Sequence, residues 1–151
     1  MKGQKKPTKA KQVKKLFNRC SALWKEFCFL RDGRECQVEK FLGRNIMPHS
    51  TVFQVDHFVS RQNKNTFFDT SNGTVVCSSC NWSKNMKNKA IDFAINEIVK
   101  HREGESIYLQ LIEEDRPRKP NLGWGKIWWL ESQYLILTEL VHELKKHKDV
   151  L

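Results

Sequence analysis

The sequence predicts an α+β chain in which a small ββα unit is clasped between N- and C-terminal helices. Three observations carry this. Apolar residues recur at three- and four-residue steps in residues 13–32 and again after residue 126. The stretch between them holds short alternating runs broken by Gly33, Gly43, Pro48 and Gly73. A Pro/Gly-rich segment, Arg116 to Gly125, interrupts the second half where no helix can cross.

Residues 1–15 contain seven lysines and no acid, so residues 1–12 read as a basic disordered arm, either a solvated tail or a phosphate-tracking segment. From Val13 the spacing of Leu16, Phe17, Cys20, Leu23, Trp24, Phe27 and Leu30 predicts an amphipathic helix over 13–32, ended by Asp32-Gly33. Cys20 and Cys28 lie on or beside its apolar stripe and read as core residues.

A core unit is expected over 33–103. Thr51 to Val55 alternates and reads as one strand, Thr74-Val75-Val76 as a second, with a polar loop from Ser60 to Ser71. A helix should begin at Ser78 or Ser79, either able to cap it. A further helix carries Ile91, Ile95, Ile98 and Val99 on one face and closes at Gly104. Residues 104–151 read as a helical extension: a short helix around Ile107 to Ile112, the hinge, and a long helix with Ile127, Leu130, Tyr134, Leu137, Val141 and Leu144 in a near-heptad stripe. That stripe either packs on the N-terminal helix or forms a homodimer seam. Trp124, Trp128 and Trp129 serve the core or stack on unpaired bases.

Of the 151 residues, 39% are apolar and 29% charged, and no run reaches the ~20 apolar residues that span a bilayer. The basic N-terminus lacks the apolar centre of a signal peptide, so a soluble cytoplasmic chain is expected. The net charge of +10 points to a polyanionic partner, nucleic acid before membrane. The five cysteines are an odd number, which argues against a disulfide framework, and Cys77-x-x-Cys80 reads as half of a metal knuckle.

The chemistry concentrates in one ordered set. Asp56-His57 closes the first strand, Asn72 follows fifteen residues after His57, and Cys77-Ser-Ser-Cys80-Asn81-Trp-Ser-Lys84 opens the helix. Phosphodiester hydrolysis needs an activated water and neutralisation of charge on the phosphate and the leaving oxygen. A carboxylate such as Asp56 is a hard ligand for Mg²⁺ or Mn²⁺, and an imidazole such as His57 can take a proton near neutral pH. Strict alternation sends neighbouring side chains to opposite faces, so a bend or bulge at Asp56-His57 is expected. Asn81 could offer its carbonyl oxygen to the same ion. Asn72 could order the loop behind His57, through its backbone or its second ring nitrogen. Lys84, with Lys87, Arg61 and Lys64, would meet phosphates without reading bases.

Residues Val55 to Lys84 resemble the HNH, or ββα-metal, endonucleases, in the variant whose last member is asparagine. The resemblance implies His57 as general base, Asp56 and Asn81 as metal ligands and Asn72 as the loop-ordering asparagine. The Asn72–Asn81 spacing is similar to that of the HNH domain in CRISPR effectors. A closer similarity is to the phage NinG/Rap recombination nucleases, carried by Leu23 to Cys36, Phe67-Phe68, the C-x-x-C-N-x-x-K run and a Trp-initiated C-terminal helix. It covers residues 22–145, with 53–85 the specific part. It implies action on branched or displaced-strand DNA in a recombination pathway, in the host cytoplasm for a phage protein. These nucleases hold a structural zinc with two C-x-x-C pairs. Here the first reads Cys36-Gln-Val-Glu39, so Cys36, Cys77 and Cys80 need a fourth ligand from Glu39, His49 or Cys28, unless the zinc has been lost. Two other readings compete: a non-catalytic zinc-knuckle DNA-binding module, and a restriction or homing nuclease on duplex DNA.

Overall fold

The computed structural model describes residues 7–43, 50–115 and 123–149. Among them the chain is a mixed α+β structure, mostly helical, around one two-stranded sheet. In order these are α1 (Lys9–Asp32), α2 (Gln37–Leu42), β1 (Phe53–His57), a 3-10 turn (Thr70–Asn72), β2 (Gly73–Cys77), α3 (Ser78–Asn85), α4 (Lys89–Glu103), α5 (Glu105–Glu114) and α6 (Ile127–Asp149).

Helix α1 starts at Lys9 rather than Val13, so the described end of the basic arm is helical. It stops where expected: Gly33, at φ 77°, donates its N–H to the Phe29 carbonyl at 3.0 Å. Its buried residues Cys20, Trp24 and Cys28 repeat every four positions and form one line. Leu130, Leu137 and Val141 form the matching line on α6. The two helices pack along their length, so the heptad-like stripe faces α1 of the same chain. Cys20 Sγ donates to the Leu130 carbonyl at 3.3 Å, the Arg19 guanidinium lies over the Tyr134 ring at 4.1 Å, and Lys145 pairs with Glu26 at 2.6 Å. Trp124 and Trp129 join an aromatic cluster with Phe17, Phe67 and Phe68, whereas Trp128 is exposed.

The sheet is antiparallel, pairing Phe53 with Cys77 at one end and His57 with Gly73 at the other. The first strand therefore begins two residues later than the alternation suggested and runs through His57. Every residue of β2 is buried, because both faces of the sheet are covered. Successive strand side chains point to opposite faces. Val75 enters one core with Cys20, Trp24, Cys28, Phe68, Leu130 and Leu137. Val76 enters the other with Cys36, Val38, Cys77, Cys80, Ile91, Ile95, Val99 and Leu111 of α5. Helix α3 follows β2 directly and packs on both strands. Its N-cap is Cys77, whose Sγ accepts from the Cys80 N–H at 3.4 Å, and not Ser78 or Ser79.

At Gly73 the sheet and α1 come so close that a side chain has no room. An added Cβ would lie 2.5 Å from Cys28 Sγ and 2.8 Å from a Trp24 ring carbon. Gly73→Val is expected to destabilise the chain by about 2–3 kcal/mol through overpacking, read as a lower denaturation midpoint with an unchanged m-value.

Candidate functional site

The His57 end of the ladder opens on a cleft of about 870 Å³. Asp56 and His57 line it from β1, Asn81, Lys84 and Asn85 from α3, Trp24 and Lys25 from α1, and Arg61 and Phe67 from the loop between the strands. The structure thus gathers Asp56, His57, Asn81, Lys84 and Arg61 around one space. Lys87, exposed at φ 59°, and Lys64 are not among its lining residues. Lys64 instead donates to the Arg61 carbonyl at 2.9 Å, and its ammonium lies 4.5 Å from the Trp124 ring centre.

No bend or bulge separates Asp56 from His57, because the register is continuous through Thr74 and Gly73 opposite them. Ordinary pleating sends the two side chains to opposite faces, and the strand ends there, so both still reach the cleft. The Asp56 carboxylate accepts a hydrogen bond from the Lys84 ammonium, which also donates to the His57 carbonyl at 2.8 Å. Burial raises the Asp56 pKa, and Lys84 opposes that shift. The His57 ring stacks on Trp24, with centroids 4.3 Å apart, and touches Phe67. Its Nε2 lies 3.0 Å from the Phe67 carbonyl oxygen. A carbonyl only accepts, so Nε2 carries the proton and Nδ1 keeps its lone pair. Burial pushes the imidazole pKa down to about 4, and the ring is neutral at pH 7.

The loop that supplies Phe67 is tied down by Asn72, which is fully buried. Its Oδ1 accepts from the Val59 N–H at 2.6 Å, and its Nδ2 donates to the carbonyls of Val59 at 3.2 Å and Thr66 at 3.0 Å. Its own carbonyl accepts from the Phe58 N–H at 2.8 Å. Of the two partners the sequence left open, the amide takes the loop backbone and not the imidazole. Two guanidiniums hold the turn around it. Arg31 donates to the carbonyls of Thr70 (2.7 Å) and Gly73 (2.6 Å), and Arg102 to that of Ser71 (2.9 Å). Asp32 and Glu103 neutralise the pair, and Asp32 also accepts from the Val75 N–H.

A second cluster lies at the opposite end of the ladder, where Cys77 pairs with Phe53. The ligand atoms of Cys36, Glu39, Cys77 and Cys80 all lie within 4.8 Å of one another and could hold a metal ion. Cys36 and Cys77 occupy equivalent places, each the N-cap of a helix. Burial raises the thiol pKa values of Cys36 and Cys80, and a metal cation would reverse this. Cys28 is excluded as the fourth ligand, since it sits in the other core against Gly73. His49 lies outside the described residues.

Sequence reasoning missed Asn85, Lys25 and the Arg31–Arg102 clamp. Asn85 was accessible, standing one helical turn after Asn81. The clamp was not, because it joins the ends of two helices seventy residues apart. No protein-family model, curated protein or solved structure matches the chain.

The buried imidazole makes stability pH-dependent. Its folded pKa of about 4 lies below the ordinary 6.5, so the unfolded chain binds more protons between these values. Stability from this group is complete above pH 6.5 and falls by on the order of 3 kcal/mol as pH drops to 4. Asp56 and Asp69, whose pKa values are raised, act in the opposite sense, so the comparison with His57→Gln isolates the imidazole. Urea unfolding at pH 7 and pH 4.5 should show a clearly smaller loss in that variant than in the wild type.

Proposed function

We propose that the chain is a metal-dependent endonuclease that hydrolyses phosphodiester bonds in DNA at the His57 end of the sheet, with branched or recombination-intermediate DNA as its substrate. The observation that carries this reading is the convergence of His57, oriented through Nε2 by the Phe67 carbonyl, with Asp56, Asn81, Lys84 and Arg61 around one cleft. A purely structural histidine would not need the cleft, and a binding module would not need the oriented base.

In this reading Nδ1 of His57 takes a proton from water, the water oxygen attacks phosphorus, and the P–O bond to the leaving 3′ oxygen breaks. Asp56 and Asn81 are hard oxygen donors suited to Mg²⁺ or Mn²⁺, which when bound would neutralise charge on the phosphate and the leaving group. Arg61 would hold a flanking phosphate, Lys84 would join it once a metal ion replaces its ammonium on Asp56, and the chain's +10 charge favours a polyanion overall. Trp24 and Phe67 keep water off the covered face of the ring, and Asn72 holds the loop that orients it.

Cys36, Glu39, Cys77 and Cys80 fit a structural zinc: three thiolates and a carboxylate converge, and both cysteine-led turns start helices. Purified protein should contain one zinc per chain by elemental analysis. Cys80→Ser should lose the metal and several degrees of Tm, whereas Cys28→Ser should keep the metal.

Cleavage of labelled duplex, flap and four-way-junction DNA with Mg²⁺ or Mn²⁺ tests the activity. The wild type should cut, and His57→Ala should bind DNA but cut about 10²–10⁴-fold more slowly. Binding with no cleavage of any substrate by the wild type would falsify the nuclease reading and leave a DNA-binding module. Preference for a defined duplex site would replace recombination with restriction or homing.

A further inference from the structure

Helix α3 presents three strips. Its residues advance by about 100° each. Asn81, Lys84 and Asn85 form the strip that lines the cleft, and Cys80 and Ser83 form the buried one. Trp82 and Met86 form a third, beside the cleft strip, and both side chains are 65% exposed. A large aromatic and a methionine one turn apart leave an apolar surface in water on the flank of the strip that lines the cleft. The surroundings are basic. Lys84, Lys87 and Lys89 stand along this segment, and no Asp or Glu occurs from Ser78 to Ile91.

We propose that the Trp82–Met86 face is a stacking platform for an unpaired nucleobase of the nucleic acid whose phosphate enters the cleft; this rests on the nuclease reading above. Nucleic acid joins the two properties that match the patch, a flat apolar base face and a dense line of negative charge beside it. Duplex interiors offer no free base face, because every base is covered by its neighbours. A single strand, or the unstacked bases at a branch, does. The platform therefore gives selectivity for unpaired or branch-adjacent nucleotides without reading sequence, and it acts from the flank of the helix that carries Asn81.

Binding is measured by fluorescence anisotropy in buffer without added Mg²⁺ or Mn²⁺, so that substrates stay whole. The probes are a single-stranded oligonucleotide, a four-way junction, and a relaxed, covalently closed duplex circle, which has neither ends nor loops. Trp82→Ala should weaken binding to the single strand and the junction about tenfold and to the closed duplex less than twofold, and Trp82→Phe should restore most of the loss. Thermal unfolding of both variants should match the wild type, since the side chain is exposed. Equal loss on all three probes, or none on any, overturns the platform. So does a change in oligomeric state with binding unaltered, which marks a protein interface instead. If the wild type binds no probe at all, the nucleic-acid reading falls and the platform with it. If Trp82→Ala keeps the wild type's preference for unpaired strands, the platform alone falls.

Discussion

A primary amide placed in a dry interior must find partners for its oxygen and its two N–H groups, or each unmet group costs about 1–3 kcal/mol. Asn72 finds all of them in the loop between the strands, at Val59 and Thr66. The rest of the loop, Ser60 to Asn65, is exposed or half-buried and held by local turns and by Asn63, which donates to the Glu114 carbonyl. The buried amide therefore does for the loop what a strand partner would do for an edge. The next residues, Phe67 and Phe68, turn inward as a consequence, one against His57 and the other into the core beside Trp129. The amide itself is held from behind, because three carbonyls of its turn are taken by Arg31 and Arg102. The order of dependence runs from helix ends to turn, from turn to loop, and from loop to the orientation of one imidazole.

The two-stranded sheet is too small to stand alone, and a hairpin of this size is marginal in water. It persists because each face carries a separate core. The Val75 face is closed by the α1–α6 pair, and the Val76 face by α2, α4 and α5 around the cysteine cluster. Alternation along β2 thus joins two independent helical layers. The cysteine cluster stands at one end of the ladder and His57 at the other, so the two chemical centres share a strand pair without sharing ligands.

Much of this was legible in the sequence. The 3.6-residue periods of α1, α4 and α6 are strong, and glycines mark the helix ends at Gly33 and Gly104. Cys77 and Cys80 read as half of a metal knuckle from their spacing, whereas Cys36 and Glu39 were pointed to by the family resemblance, and the structure brings the four together. What stayed hidden depends on pairs distant along the chain. The Arg31–Asp32–Arg102–Glu103 cluster reads in sequence as ordinary surface charge at helix termini, and burial alone makes it a clamp. The start of α1 at Lys9 was obscured because lysines are adequate helix formers that carry no periodic signal.

Asp56 and His57 part to different surroundings on a regular strand, without the bend or bulge the sequence led one to expect. Neighbours on a pleated strand face opposite sides, and here the sides differ in kind. One faces the aromatic wall of Trp24 and Phe67, where losing water is cheap for a neutral ring and costly for a cation. The other faces α3, where the ammonium of Lys84, in the last turn, offsets part of the burial that raises the Asp56 pKa. A carboxylate on the aromatic side would be driven to protonate, and an imidazole beside Lys84 would have no acceptor to orient it. Two adjacent residues therefore sit in different surroundings because of the pleat, and the end of the strand lets both line the same cleft. A bulge at this point would break that alternation and turn the two side chains toward one environment.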